Sequence, residues 1–225
     1  MRRLLIACAC ACWMQPGVAQ AQDGPLAGAF EVSAGASWIG STAFAARDAS
    51  LTGSGGEAFR LFSTSTELSG GRGFDLRIGR RVTRIVEAGL WAALSSPTLK
   101  TRVTSDVENG AAAIASEAIT QLTVEVSGLV SLTRFNVGSR VLPFVTAGGG
   151  YLRQLHEGET LVQTGRVYHL GAGARMPLFT RGRDRRVKQI GLRADVRAVM
   201  RTGGVTIDGL AHTTPEVTAS AFVRF

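Results

Sequence analysis

The feature that most constrains this chain is a strict two-residue alternation of apolar and polar side chains, repeated in eight separate segments. Past the first residues, no apolar run approaches the roughly 20 residues that a membrane helix needs. Alternation of this kind belongs to strands, because successive side chains leave a strand on opposite faces. In the first segment Phe30, Val32, Ala34, Ala36 and Trp38 share one face, opposite Glu31, Ser33, Gly35 and Ser37. In the last, Val217, Ala219, Ala221, Val223 and Phe225 oppose Glu216, Thr218, Ser220 and Arg224, with Phe222 the one large apolar exception. Six segments between them repeat the design over about 74–79, 86–94, 122–132, 145–151, 168–176 and 190–198. The expected class is all-β, with eight antiparallel strands in up-and-down order.

The second face decides what such strands enclose. It carries Glu31, Asp75, Glu87, Glu125, Asp195 and Glu216 alongside Arg77, Arg175, Arg193, Arg197 and Arg224. A soluble sandwich or lipocalin-like barrel would also alternate, with its apolar face as core and these charges in water. The segment ends and the connections favour the opposite arrangement. Phe30 and Phe225 stand at one rim of the apolar face and Trp38, Tyr151 and Tyr168 at the other, as two aromatic girdles would where lipid meets water. The connections alternate in length, with long ones near 41–71, 96–118, 156–165 and 201–214 and short ones near 80–84, 133–140 and 179–188. Membrane barrels have short periplasmic turns and long external loops. The reading is therefore an eight-stranded transmembrane β-barrel, apolar outside, with the eleven charged residues as an ionic plug inside. The short turns hold Arg80, Arg81, Arg84, Arg134, Arg140, Arg181, Arg183, Arg185, Arg186 and Lys188, which makes one rim basic. Either these are solvated turn charges or they meet anionic lipid or cell wall.

Residues 1–21 read as a secretory signal peptide: Arg2 and Arg3, an apolar stretch from Leu4 to about Met14, and small residues at Ala19 and Ala21. Residues 22–225 then form one barrel domain. All three cysteines, Cys8, Cys10 and Cys12, fall in the leader, so the exported part is expected to hold no disulfide and no thiol chemistry. A formal net charge of +8 raises nucleic acid as a partner. Scattered arginines without an aromatic-interleaved stripe argue against it, and no nucleic-acid partner is expected.

At the C-terminus Val217, Ala219, Ala221, Val223 and Phe225 resemble the terminal signal read by the barrel-assembly machinery. The run Pro143 to Tyr151, Leu170-Gly171-Ala172-Gly173-Ala174 and Leu192 to Arg197 resemble strands five to seven of small barrels of the OmpA, OmpX and OmpW type. The likeness spans about Gly28 to Phe225 and covers the barrel domain only. It implies an outer-membrane location, contact with outer-membrane lipid and assembly by that machinery. An interior of eight strands is just wide enough for side chains to fill. The glycines Gly148, Gly150, Gly171 and Gly173 read as sites of sheet curvature in preference to room for long arginines.

Some barrels of this kind modify lipid A with a histidine, a serine and a carboxylate. Here His156, His169 and His212 lack a serine partner in reach by spacing, so no catalytic residue is assigned. His156, Glu157 and Glu159 do not read as a metal site, because adjacent residues of an extended segment point apart. No cofactor or metal is expected. The glycine runs at Gly53–Gly56 and Gly203–Gly204 read as mobile loop tips, since neither lies between a strand and a helix. Asn109-Gly110 suits a tight hairpin turn, so the third and fourth segments are expected to rise past the membrane as a ribbon after Pro97. The resulting expectation is a structural or surface-interaction barrel with an unidentified surface ligand or protein. A narrow transport barrel is the alternative and a lipid A enzyme the third choice.

Overall fold

The structure is a computed structural model that describes residues 28–104, 113–135, 141–157, 161–180, 186–205 and 209–225. The proposed signal peptide with its three cysteines lies outside the described residues, as do Asn109-Gly110, Arg140, Glu159, Arg181, Arg183 and Arg185.

Eight strands close into a ring: β1 (Phe30–Ile39), β5 (Gly71–Arg81), β6 (Val86–Ser95), β8 (Ala113–Ser131), β9 (Leu142–His156), β10 (Val162–Thr180), β11 (Gln189–Gly203) and β12 (His212–Arg224). Each pairs antiparallel with its neighbours, and β1 with β12 closes the ring through a ladder from Glu31↔Arg224 to Ile39↔Glu216. The architecture is the eight-stranded up-and-down barrel expected from the alternation.

The ring is inside out relative to a soluble protein. Phe74 is 77% exposed, Leu90 58%, Val126 63% and Leu170 67%, whereas all six strand acids and five strand arginines that share the polar face are buried. Hydrocarbon, not water, is the solvent that favours such an exterior, and a closed barrel leaves no unpaired strand edge within it. The girdle residues lie on the outer surface. Phe30, Trp38, Tyr151, Tyr168 and Phe225 are each 42–50% exposed. Phe225 N–H donates to Phe30 C=O at 2.8 Å, which fixes those two rings at one rim. Trp38 stands eight residues along β1 from Phe30. At about 3.4 Å per residue and a strand tilt near 40°, that is roughly 20 Å along the axis, against an apolar band of about 25 Å.

Four more strands lie in the first two long connections: β2 (Thr42–Ala43), β3 (Arg47–Thr52), β4 (Ala58–Ser69) and β7 (Thr98–Thr104). Strand β7 pairs with the upper part of β8, which is the ribbon expected after Pro97. Strands β3 and β4 correct the reading of 41–71 as a loop: β4 pairs with β7, and β2 and β3 both pair with β4. The result is an external sheet continuous with the barrel wall. The supposed loop tip Gly53–Gly56 is its tight turn, closed by Gly53 N–H to Glu57 C=O and Gly56 N–H to Gly53 C=O, both 2.9 Å, with Gly56 at φ 83°. Barrel strands also run further than the alternation suggested. Strand β10 begins at Val162, β11 continues to Gly203, and His212 opens β12 rather than lying in a loop.

Candidate functional site

The lumen is built by parity. Every second residue of the eight ring strands points inward, and the eleven charges at those positions are 1–7% exposed. Buried charge persists only when it is paired and hydrogen-bonded, so the partners matter more than the burial.

The network has three levels. Near the short turns, Arg175 reaches across the lumen to Glu31 at 2.8 Å and to both carboxylate oxygens of Glu87 at 2.9 Å. Arg77 approaches Glu87 at 3.3 Å, and Arg224 pairs with Glu31 while donating to Gln189 at 2.9 Å. In the middle, Arg193 pairs with Asp195 at 2.7 Å, and Asp195 also accepts from Thr218. Asp75 is hydrogen-bonded to the Trp91 side chain. Towards the external mouth, Arg197 pairs with its cross-strand partner Glu216 at 2.7 Å, and His169 Nδ1 contacts the Glu125 carboxylate. Arg175 thus joins the lower acids across the lumen, although it is in register with Arg193 on β11.

Aromatic faces complete the packing. The Arg197 guanidinium sits 3.9 Å from the Trp91 ring centroid, and Arg193 and Arg175 sit 4.5 and 5.3 Å from that of Phe144. Such contacts suit arginine, whose planar cation stacks on rings and is weakly hydrated. Phe222, the apolar exception of the last segment, is fully buried, with Arg224 at 5.7 Å from its ring. At Gly148, Gly171 and Gly173 a Cβ would first meet a carbonyl oxygen of the neighbouring strand, as close strand approach requires, and would also meet an inward side chain, which for Gly171 is Arg197 at Cγ, 2.7 Å away. A Cβ on Gly148 would meet His169 Cε1 at 2.6 Å, and one on Gly173 would meet Phe144 Cζ and Asp195 Cβ at 2.6 Å. These glycines thus allow both the close approach of the strands and the large inward groups.

Sequence reading missed four inward contributors. Arg81 and Arg201 are 7% and 8% exposed, which brings the buried arginines among the described residues to seven against six acids, and Gln121 and Gln154 are both 2% exposed. Gln154 donates to Gln121 at 2.9 Å and accepts from Val205 N–H at 2.7 Å. All four continue the parity of their strands, so extending the alternation two to four residues would have found them. Above this level Phe44, Leu68, Ile119 and Val205 form a buried apolar cluster packed by Leu99, and His212 meets Phe44 edge-on at 5.0 Å. This cluster lies between the barrel and the external sheet. Among the described residues, one void of about 10 Å³ is lined by Asp75, Arg77, Trp91, His169 and Asp195 among others, and one of about 20 Å³ lies beside Gln154 and Arg201. Each has room for the centre of roughly one water molecule.

The remaining sequence candidates lie apart. His156 pairs with Glu117 at 2.8 Å on the external side, and Glu157 accepts from Ala118 N–H at 3.4 Å. No group of three or more metal-ligating side chains occurs among the described residues. On the outer face of β12, Val217 and Phe225 are 41% and 42% exposed, and Ala219 and Ala221 are exposed between them. Val223 is in register with Val32 and Ile190.

No family model matches the chain, and no curated protein matches it. Among solved structures the chain is similar to the outer membrane protein OprG from Pseudomonas aeruginosa, with a TM-score of 0.47 and 10% identity over 88% of this chain and 96% of that one. It is similar to Neisserial surface protein A, with a TM-score of 0.46 and 16% identity over 88% and 97%. It is also similar to Ail, the attachment invasion locus protein of Yersinia pestis, with a TM-score of 0.41 and 11% identity over 89% and 100%. The chain is in this sense similar to small outer-membrane β-barrels.

Proposed function

We propose that this chain is a closed, non-conducting outer-membrane barrel whose working surface is the external sheet of β3, β4, β7 and the upper part of β8. The observation that carries the reading is the filled interior: among the described residues, seven arginines, six acids and a histidine packed on Trp91, Phe144 and Phe222, with a void of only about 10 Å³ at mid-height. A solute larger than water would have to break several buried ion pairs to pass, at a cost of several kcal/mol for each charge stripped of its partner. The sheet above offers what the lumen does not. Leu51 and Phe59 face each other across β3 and β4 at its far end and are 59% and 56% exposed. A pair of that size on an aqueous surface favours contact with a protein or surface ligand. Export behind a cleaved signal, and assembly through the outward series ending at Phe225, belong to the same reading, which assigns no catalytic step.

Liposome swelling tests it. Vesicles holding the refolded protein should swell in isotonic amino acids and sugars no faster than empty vesicles. Swelling that depends on solute size would replace this reading with a narrow transport barrel.

A further inference from the structure

The rim of the barrel at the short turns differs from the external end in charge. Among the described residues its exposed charges are Arg80, Arg84, Arg134 and Arg186, with half-buried Lys188 beside them and no exposed acid. The external end mixes signs, with Asp48, Glu57 and Glu67 near Arg47, Arg60 and Lys100. Four of these five basic groups, Arg80, Arg84, Arg134 and Lys188, also have an exposed apolar neighbour. The Arg80 guanidinium lies 5.5 Å from the Phe30 ring. Arg84 sits in the turn 82–85 between Val82, 58% exposed, and Ile85, 45% exposed. That turn is fixed by Val82 N–H to Val86 C=O at 2.9 Å and by Val86 N–H to Thr83 Oγ1 at 3.0 Å. It is joined to β8 by Ser131 N–H to Ile85 C=O at 2.8 Å. Arg134 adjoins Phe135, 69% exposed, in a single 3-10 turn. Phe179, 66% exposed, pairs with Ile190 next to Lys188 and Gln189.

We propose that this rim is a binding ring for anionic phospholipid headgroups of the facing leaflet, with the cations at phosphate level and the apolar neighbours in the acyl boundary. The interleaving separates this from a soluble polyanion, which would leave Val82, Ile85, Phe135 and Phe179 in water. It fits an interface, where cations snorkel to the headgroups and large apolar groups anchor below them. The proposal rests on the barrel spanning a membrane, but not on its being closed, so a conducting barrel would leave it standing.

The test is the relative association of spin-labelled phosphatidylglycerol and phosphatidylcholine with the full barrel in phosphatidylcholine bilayers, read from the motionally restricted fraction. The wild-type protein should prefer phosphatidylglycerol by roughly two- to five-fold, the scale of one or two surface cations, and 0.5 M salt should weaken the preference. Replacing Arg80, Arg84, Arg134, Arg186 and Lys188 together by Gln should abolish it, while Arg60→Gln with Lys100→Gln and Arg102→Gln on the external sheet should not. If the fivefold variant fails to fold, Arg84→Gln and Arg134→Gln, both in exposed turns, should each lower the preference. A wild-type protein without preference, or a preference untouched by rim substitution or lost equally in the external variant, overturns the proposal.

Discussion

The Arg197–Glu216 pair gives the cleanest test of the lumen's energetics, because the two side chains are direct cross-strand partners at 2.7 Å and each is no more than 4% exposed. Their Coulomb attraction at an effective dielectric of ~20 is about 6 kcal/mol. Part of that offsets desolvation already incurred on burial, so the informative quantity is the cost of leaving one partner alone. Arg197→Met keeps most of the hydrocarbon stem, strands the Glu216 carboxylate, and removes the stacking on Trp91. Breaking a buried pair from one side costs about 3–5 kcal/mol, and the lost cation–π contact adds ~1 kcal/mol. Glu216→Gln should fall in the same 3–5 kcal/mol range without the stacking loss. The double variant should cost well under the sum, with a coupling energy of at least ~2 kcal/mol. Guanidinium titration in lipid vesicles, followed by tryptophan emission, measures all three, provided the slope stays constant across the set. Single variants costing under ~1 kcal/mol, or an additive double, would mean that the pair is solvated like a surface ion pair and would refute the argument.

Three further outcomes follow from the same geometry. Phe222→Ala, which empties a fully buried site, should destabilise the folded barrel by about 3–5 kcal/mol, whereas Phe225→Ala, 42% exposed, should slow assembly in cells with little change in equilibrium stability. Similar effects of the two on both readouts would contradict the assignment of faces. Ala194→Asp puts an acid on the exposed outer face of β11 and should destabilise by less than the ~2–4 kcal/mol of a basic residue at the bilayer midplane, measured by the same titration; an increase in stability would show that this face meets water. Replacing residues 47–64 by a short Gly-containing turn removes β3 and the outer half of β4 and should leave the gel shift between heated and unheated samples intact, since the ring ladders do not involve those residues.

The barrel was legible because lipid and lumen impose opposite demands on neighbouring residues. Phe30, Glu31, Val32 and Ser33 announce both solvents within one turn of the pleat, and the closing ladder Glu31↔Arg224 lies between the two segments that alternate most cleanly. The external sheet was not legible, because water bathes much of its surface and Arg47–Thr52 and Ala58–Ser69 carry no strict alternation: 50, 51 and 52 are all exposed. Arg81, Gln121, Gln154 and Arg201 were missed for a related reason. They lie near strand ends, where outward residues such as Arg80, Thr120, Arg153 and Thr202 turn polar and the contrast between faces fades while the parity continues. Which acid each arginine chooses was beyond any pattern in the chain, since Arg175 crosses the lumen to strands far away in sequence. The pairing is also incomplete. Asp75 Oδ1, Glu125 Oε1 and Arg77 Nε are buried without a hydrogen-bond partner among the described residues, and the void lined by Asp75, Arg77 and His169 lies beside them.

The central claim, a barrel apolar outside and packed with charge inside, is tested most directly by cysteine accessibility at adjacent residues of β8. The described residues contain no cysteine, so Val126→Cys on the 63% exposed outer face, Ser127→Cys on the 4% exposed lumen face and Ser54→Cys in the external turn each report alone. In lipid vesicles a charged, membrane-impermeant thiol reagent should modify Cys at 54 within minutes and neither of the others. A small lipid-soluble maleimide should reach position 126, and position 127 should react only after unfolding. Rapid modification of position 127 by the charged reagent in the folded protein would show a water-filled lumen and contradict the account.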